Sequence, residues 1–193
     1  MITHIKGKLV EKNLTHVVVE CNGLGYFLHI SLYTHSKIKD SESIMLYTYL
    51  SVKEDSQTLF GFADKLEREV FKLLISVSGV GTSIARTMLS SMTPEQVQKA
   101  IASEDVATIQ SVKGIGAKTA QRVILDLRDK IVKIYQISED LPDSNNTIKD
   151  QALSALEVLG YSRKQVEKLI QKIMQENSGI TLENMIKQAL KNV

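Results

Sequence analysis

Apolar and polar residues alternate with a period of two over the first third of the chain and follow a helical period after it. THVVVEC (15–21), YFLHISL (26–32) and IMLYTYLSV (44–52) are rich in β-branched and aromatic residues, with turn signals such as Asn22-Gly23 between them. Gly7, Gly23, Gly25 and Gly61 stand where such strands bend or turn. Residues 1–62 therefore predict a small five-stranded barrel of the OB type. From residue 63 helix punctuation takes over. Asp64-x-x-Glu67 and Thr93-Pro94-x-Gln96 have the spacing of capping boxes, and Phe71, Leu74, Ile75 and Val77 recur on one face. The longest helix is predicted from about Ala117 to Ile134, with Val123, Ile124, Leu127, Ile131 and Ile134 as its apolar stripe. Residues 136–147, QISEDLPDSNNT, have the acidic, Ser/Asn/Asp-rich composition of a linker. Residues 148–193 then predict three amphipathic helices, the second opened by Ser162-x-x-Gln165. The expected fold class is α+β and multidomain: barrel (1–62), all-helical region (63–135), linker (136–147) and three-helix bundle (148–193).

Within the helical region SVSGVGTSIART (76–87) is echoed 35 positions later by SVKGIGAKTAQR (111–122). Each copy places an apolar residue, Val80 or Ile115, between two glycines, so that residue can plug a core while Gly79, Gly81, Gly114 and Gly116 take backbone angles closed to other residues. Ala85 and Ala120 permit close helix approach. The amides of residues 79–83 and 114–118 then face outward at a helix N-terminus, where the helix dipole favours a phosphate oxygen. Lys118 and Arg122 follow the second hairpin at i and i+4, on one face. A nucleotide-binding loop is excluded because Ala117 separates Gly116 from Lys118, and a dinucleotide fingerprint because a third glycine and a preceding strand are missing. Two copies are also too few for a solenoid.

Composition adds little that is specific. Net charge is +2; residues 63–135 hold eleven Lys and Arg against eight Asp and Glu, while the segments before and after are balanced or slightly acidic. The single cysteine, Cys21, excludes an internal disulfide and points to a reducing, cytoplasmic setting. The first residues lack an apolar signal core, and no stretch is long enough for a membrane span, so no membrane association is expected. No cofactor or metal is expected either: His4, His16, His29 and His35 lack metal-ligand spacing, and the adjacent acids Glu104-Asp105 and Glu139-Asp140 fall in turns or the linker. A nuclease or glycosylase, and a general single-strand binder built on the barrel, remain as alternatives. The second would want exposed aromatics along a basic groove, against an aromatic content of 5%.

Each helix, glycine hairpin and second helix resembles a helix-hairpin-helix unit, a module that grips DNA phosphates through backbone amides. In order, the barrel, the tandem units, the linker and the bundle resemble the RuvA family of Holliday-junction-binding subunits across the whole chain. The resemblance implies DNA contacts from Gly79, Val80, Gly81, Thr82, Ser83 and Arg86, and from Gly114, Ile115, Gly116, Ala117, Lys118 and Arg122. It implies an acidic pin at Glu54 and Asp55, in LYTYLSVKEDSQTLFGF (46–62), residues that otherwise read as soluble turn positions. It implies a non-catalytic homotetramer, or two tetramers face to face, that holds a junction open and planar for the hexameric ATPase RuvB, with the RuvC resolvase as a further partner, in recombination and repair. Leu159, Gly160 and Tyr161 would receive the motor, or else close the small core. The chain departs from the family pattern at the first hairpin, where Thr82 and Ser83 replace Pro and Lys; Arg86 compensates, or amides and hydroxyls act alone. In the second hairpin Lys113 stands for Pro and Ala117 for Lys.

Overall fold

The computed structural model describes residues 2–39, 43–138, 148–177 and 180–192. It divides into two compact units, 1–139 and 140–193. In the first, strands β1 (His4–Lys12), β2 (His16–Cys21), β3 (Leu24–His29), β4 (Ser43–Val52) and β5 (Gln57–Phe62) close a barrel in the order β1-β2-β3-β5-β4. All pairings are antiparallel except β3 with β5, where His29 faces Phe60. Alternate positions point inward, and Ile5, Val17, Val19, Leu28, Ile30, Ile44 and Leu46 fill the interior. At Gly7 an added Cβ would fall 2.1 Å from the Glu20 carbonyl oxygen, so β1 and β2 approach there only without a side chain.

The strand expected through Leu32 stops at His29. The Ser31 hydroxyl accepts the Thr34 amide at 3.0 Å and starts a short helix, α1 (Leu32–Lys37). Helices α2 (Lys65–Ile75), α3 (Thr82–Ser91), α4 (Pro94–Ala102), α5 (Val106–Gln110) and α6 (Ala117–Ser138) follow β5. The boundary at residue 62 separates two architectures and two buried clusters, but β5 lends its rings to the helical one. Phe71 of α2 packs its ring against Phe60 and Phe62 of β5, centroids 5.1 and 5.0 Å away, and against Tyr49 at 5.6 Å. These rings join one cluster with Leu74, Val77, Met88, Leu89, Ile101, Ile109, Leu127 and Ile131. Helix α6 continues through residues 136–138, within the span expected as linker; residues 139–147 lie outside the described residues.

The caps differ one from another. Thr93 and Gln96 form both halves of a capping box, with Pro94 in the first turn. Asp64 accepts the Glu67 amide at 2.8 Å, but the Glu67 carboxyl does not return to the cap, because it is turned into the interior. Ser162 makes no amide cap: its hydroxyl donates to Gln165 Oε1 at 2.7 Å.

In the second unit α7 (Ile148–Val158), α8 (Arg163–Glu176) and α9 (Leu182–Asn192) form a three-helix bundle around Leu153, Leu156, Val166, Ile170, Ile173 and Met185. No helix among the described residues is long and apolar enough to cross a membrane.

Candidate nucleic-acid interface

The two glycine hairpins are built alike. Val80 N–H donates to the Val77 carbonyl at 3.0 Å, and Ile115 N–H to that of Val112 at 3.1 Å. Gly79 and Gly114 have φ of +95° and +96°, a region that favours glycine. Val80 and Ile115 are buried plugs, and Ala85 and Ala120 are fully buried one turn into the following helices. The hairpins also face each other. A Cβ on Gly79 would meet Thr119 at 3.7 Å, and one on Gly114 would meet Ile84 at 3.6 Å. Ile84 and Thr119 occupy equivalent places in the two copies, so the units are related by a local two-fold and present their hairpins as a pair.

The second glycines differ from expectation. Gly81 has φ −88° and ψ 172°, Gly116 is likewise outside the left-handed region, and a Cβ at either would touch nothing within 4 Å. Nothing among the described residues requires glycine there. What the missing side chain does is leave the backbone bare. The amides of Gly81, Thr82 and Ser83, and of Gly116, Ala117 and Lys118, have no acceptor among the described residues. Val80 and Ile115 do not belong to the available set, because their amides close the turns. The Gly79 and Gly114 amides likewise have no acceptor among the described residues, so each hairpin leaves a run of bare donors at the positive end of a helix, a ready seat for an anionic oxygen.

Lys113, Lys118 and Arg122 are exposed beside the second hairpin. Arg86 is placed otherwise: Nη1 lies 3.0 Å from His29 Nδ1 and 3.4 Å from the Thr15 carbonyl oxygen, on the barrel. Burial, and then the Arg86 charge, hold the His29 pKa below its ordinary value, leaving a neutral ring to accept that bond. Arg86 ties α3 to the barrel, and the first hairpin is left with amides and the hydroxyls of half-buried Thr82 and exposed Ser83.

Glu54 and Asp55 form the tip of the β4–β5 hairpin, where the Lys53 amide donates to the Ser56 carbonyl at 2.8 Å. Both acids are exposed, and neither is ion-paired among the described residues. The other acidic pair is structural. Asp105 caps α5 and is held below the usual carboxylate range by hydrogen bonds from Thr108, and Glu104 pairs with Arg128. Glu139 and Asp140 lie outside the described residues. Among the described residues no group of three or more His, Cys, Asp or Glu could hold a metal ion.

In the bundle, Gly160 (φ +97°) ends α7. Its amide donates to the Glu157 carbonyl and that of Tyr161 to Leu156, a Schellman closure. Tyr161 packs on the core, whereas Leu159 and its neighbour Val158 are 57% and 88% exposed. Sequence reasoning missed Glu67, which is fully buried with Ser31 and Thr34 where the barrel meets α2.

A closed barrel carrying two dyad-related glycine hairpins with bare amides defines a tandem helix-hairpin-helix protein. Family models agree in each region: the RuvA N-terminal domain matches residues 1–61, a SAM-like helix-hairpin-helix tandem residues 71–129, and the RuvA C-terminal domain residues 147–193. The chain is 63% identical to a protein of Christiangramia forsetii and 56% identical to one of Flavobacterium psychrophilum, in both cases over the full length of both chains. It is 42% identical to one of Bacteroides fragilis over the same full coverage. Each of these relatives is named Holliday junction branch migration complex subunit RuvA. The chain belongs to the RuvA family.

Proposed function

We propose that this protein binds Holliday junctions by shape and serves as the DNA-holding subunit of a branch migration complex, with ATP hydrolysis supplied by the RuvB motor. The observation that carries the reading is the pair of two-fold-related hairpins whose outward amides suit phosphate, on the same compact unit as an exposed acidic turn that makes no ion pair among the described residues. Amides grip backbone without reading bases. Four copies assemble around the junction as a homotetramer, one per arm, with the Glu54 and Asp55 turns gathered at the centre. There their charge repels phosphates, so linear duplex is disfavoured and strands are kept apart. Lys118 and Arg122 add cationic reach at the second hairpin. Exposed Leu159, beside Val158, meets the motor, while Tyr161 holds the bundle together. RuvC resolvase acts on the held junction, and the setting is the cytoplasm.

The test is competition between a four-way junction, a linear duplex and a single strand of the same sequence. Strong preference for the junction, without strand cleavage in magnesium or ATP hydrolysis by the protein alone, supports the reading. Equal affinity for duplex and junction refutes it.

A further inference from the structure

Where α2 leaves the barrel, the interior contains a fully satisfied polar cluster. Ser31 Oγ donates to Glu67 Oε1 and Thr34 Oγ1 donates to Glu67 Oε2. The Ala63 amide donates to Thr34 Oγ1 at 2.9 Å and lies 3.3 Å from Glu67 Oε2. Ser31 Oγ in turn accepts the Thr34 amide. Each hydroxyl therefore accepts from the backbone and donates a hydrogen bond to a separate carboxyl oxygen. Outside this cluster Tyr33 Oη donates to Asp64 at 3.0 Å, the Leu32 amide to Ser90 Oγ at 3.1 Å, and Arg68 Nη1 to the Thr3 carbonyl at 3.0 Å.

A buried carboxyl is expensive in free energy, and an apolar side chain of similar size would pack beside Val70 and Phe71 without that cost. What the carboxyl adds is direction. The ring contacts of Phe60, Phe62 and Phe71 tolerate small rotations, whereas two oxygens bonded to two fixed hydroxyls do not. The location matters as much. β5 leads from the Glu54–Asp55 turn to Ala63, whose amide is in the cluster, and α2 leads from Glu67 to the first glycine hairpin. Both working ends of the unit run from this point.

We infer that Glu67, held by Ser31 and Thr34, is a positioning residue that fixes the separation and angle between the acidic turn and the paired hairpins, and so sets junction-over-duplex discrimination. The discrimination rests on the function proposed above; the fixed geometry does not. The test places spin labels on cysteines introduced at exposed Gln57 and Gln121 in a Cys21→Ser background, diluted into unlabelled chain so that only distances within one chain register. Glu67→Leu and the milder Thr34→Val should broaden or shift the distance distribution and lower the junction-to-duplex affinity ratio about fivefold. Glu67→Gln, which can accept from one hydroxyl and donate to the other, should keep the narrow distribution. If Glu67→Leu does not fold, Thr34→Val decides on the same two readings. Lower thermal stability with unchanged distances, or altered distances with an unchanged ratio, overturns the inference. Absence of junction preference in the unsubstituted protein would instead refute the functional reading and leave the distance measurement to decide the geometry.

Discussion

Replacing Gly81 and Gly116 together by serine should raise stability and weaken junction binding in the same molecule. Gly81 already has the extended cap geometry, φ −88° and ψ 172°, close to that of Ser31 (−82°, 165°) and Thr93 (−70°, 159°), both of which cap with their side chains. A Cβ at position 81 or 116 meets nothing within 4 Å, so serine enters without strain. Its hydroxyl would accept an orphan amide of the first turn, worth a few tenths of a kcal/mol over glycine, and reduced freedom of the unfolded chain adds about 0.5 kcal/mol per site. The same hydroxyl occupies a donor that, in the function proposed above, is left for phosphate. Losing one hydrogen bond to a charged oxygen costs about 1.5–3 kcal/mol, or about tenfold to a hundredfold in Kd for each hairpin. Thermal melting and a junction titration on one preparation read both effects. Gly79→Ala is the contrast: at φ +95° it should destabilise by about 1–2 kcal/mol, so any binding loss there is mixed with unfolding. A Gly81→Ser/Gly116→Ser protein that melts no lower and binds the junction as tightly as before would refute the amide seat.

Lys118→Gln with Arg122→Gln should lower affinity for junction and duplex alike and reduce the slope of log K against log salt by about one to two, measured by titration from low to moderate salt. Glu54→Gln with Asp55→Asn should raise affinity for linear duplex more than for the junction, and an unchanged ratio counts against the pin. Glu67 supplies a pH test. Burial, the largest cause, outweighs the hydroxyl bonds and raises its pKa from 4.5 to about 7. The folded state therefore holds this proton more tightly than the unfolded chain, so the stability that Glu67 contributes is fully present below pH 4.5 and is lost as pH rises through about 7. The contribution is up to about 3 kcal/mol. Melting temperature should fall over that window and fall less in Glu67→Gln; equal slopes would show that this carboxyl is not the titrating group.

Much of this was legible in the sequence because the relevant signals are local. Val17, Val19 and Leu28 betray their strands by alternation, and Val80 and Ile115 betray the hairpins by standing between glycines. What failed to show depends on long-range contact. Leu32 prolongs the apolar pattern of β3, yet the capping hydroxyl of Ser31 has already turned the chain into α1. Glu67 has the spacing of a capping box and equally that of the buried stripe, one turn before Phe71 and two before Leu74; burial chose the second. Arg86 sits one turn beyond the first hairpin, as a phosphate ligand would, but His29 is its partner across the fold. The two glycines of each hairpin look equivalent as letters. Only the backbone angles separate the one that makes the turn from the one that leaves it bare.

Amide hydrogen exchange at residues 81–83 and 116–118, compared between the free protein and its complex with a four-way junction, reads the proposed phosphate seat itself. The expected result is exchange slowed about tenfold or more at these positions on binding. The Val80 and Ile115 amides, already bonded within the turns, should change far less. A saturated junction complex in which those six amides exchange at the free protein's rate would contradict the account.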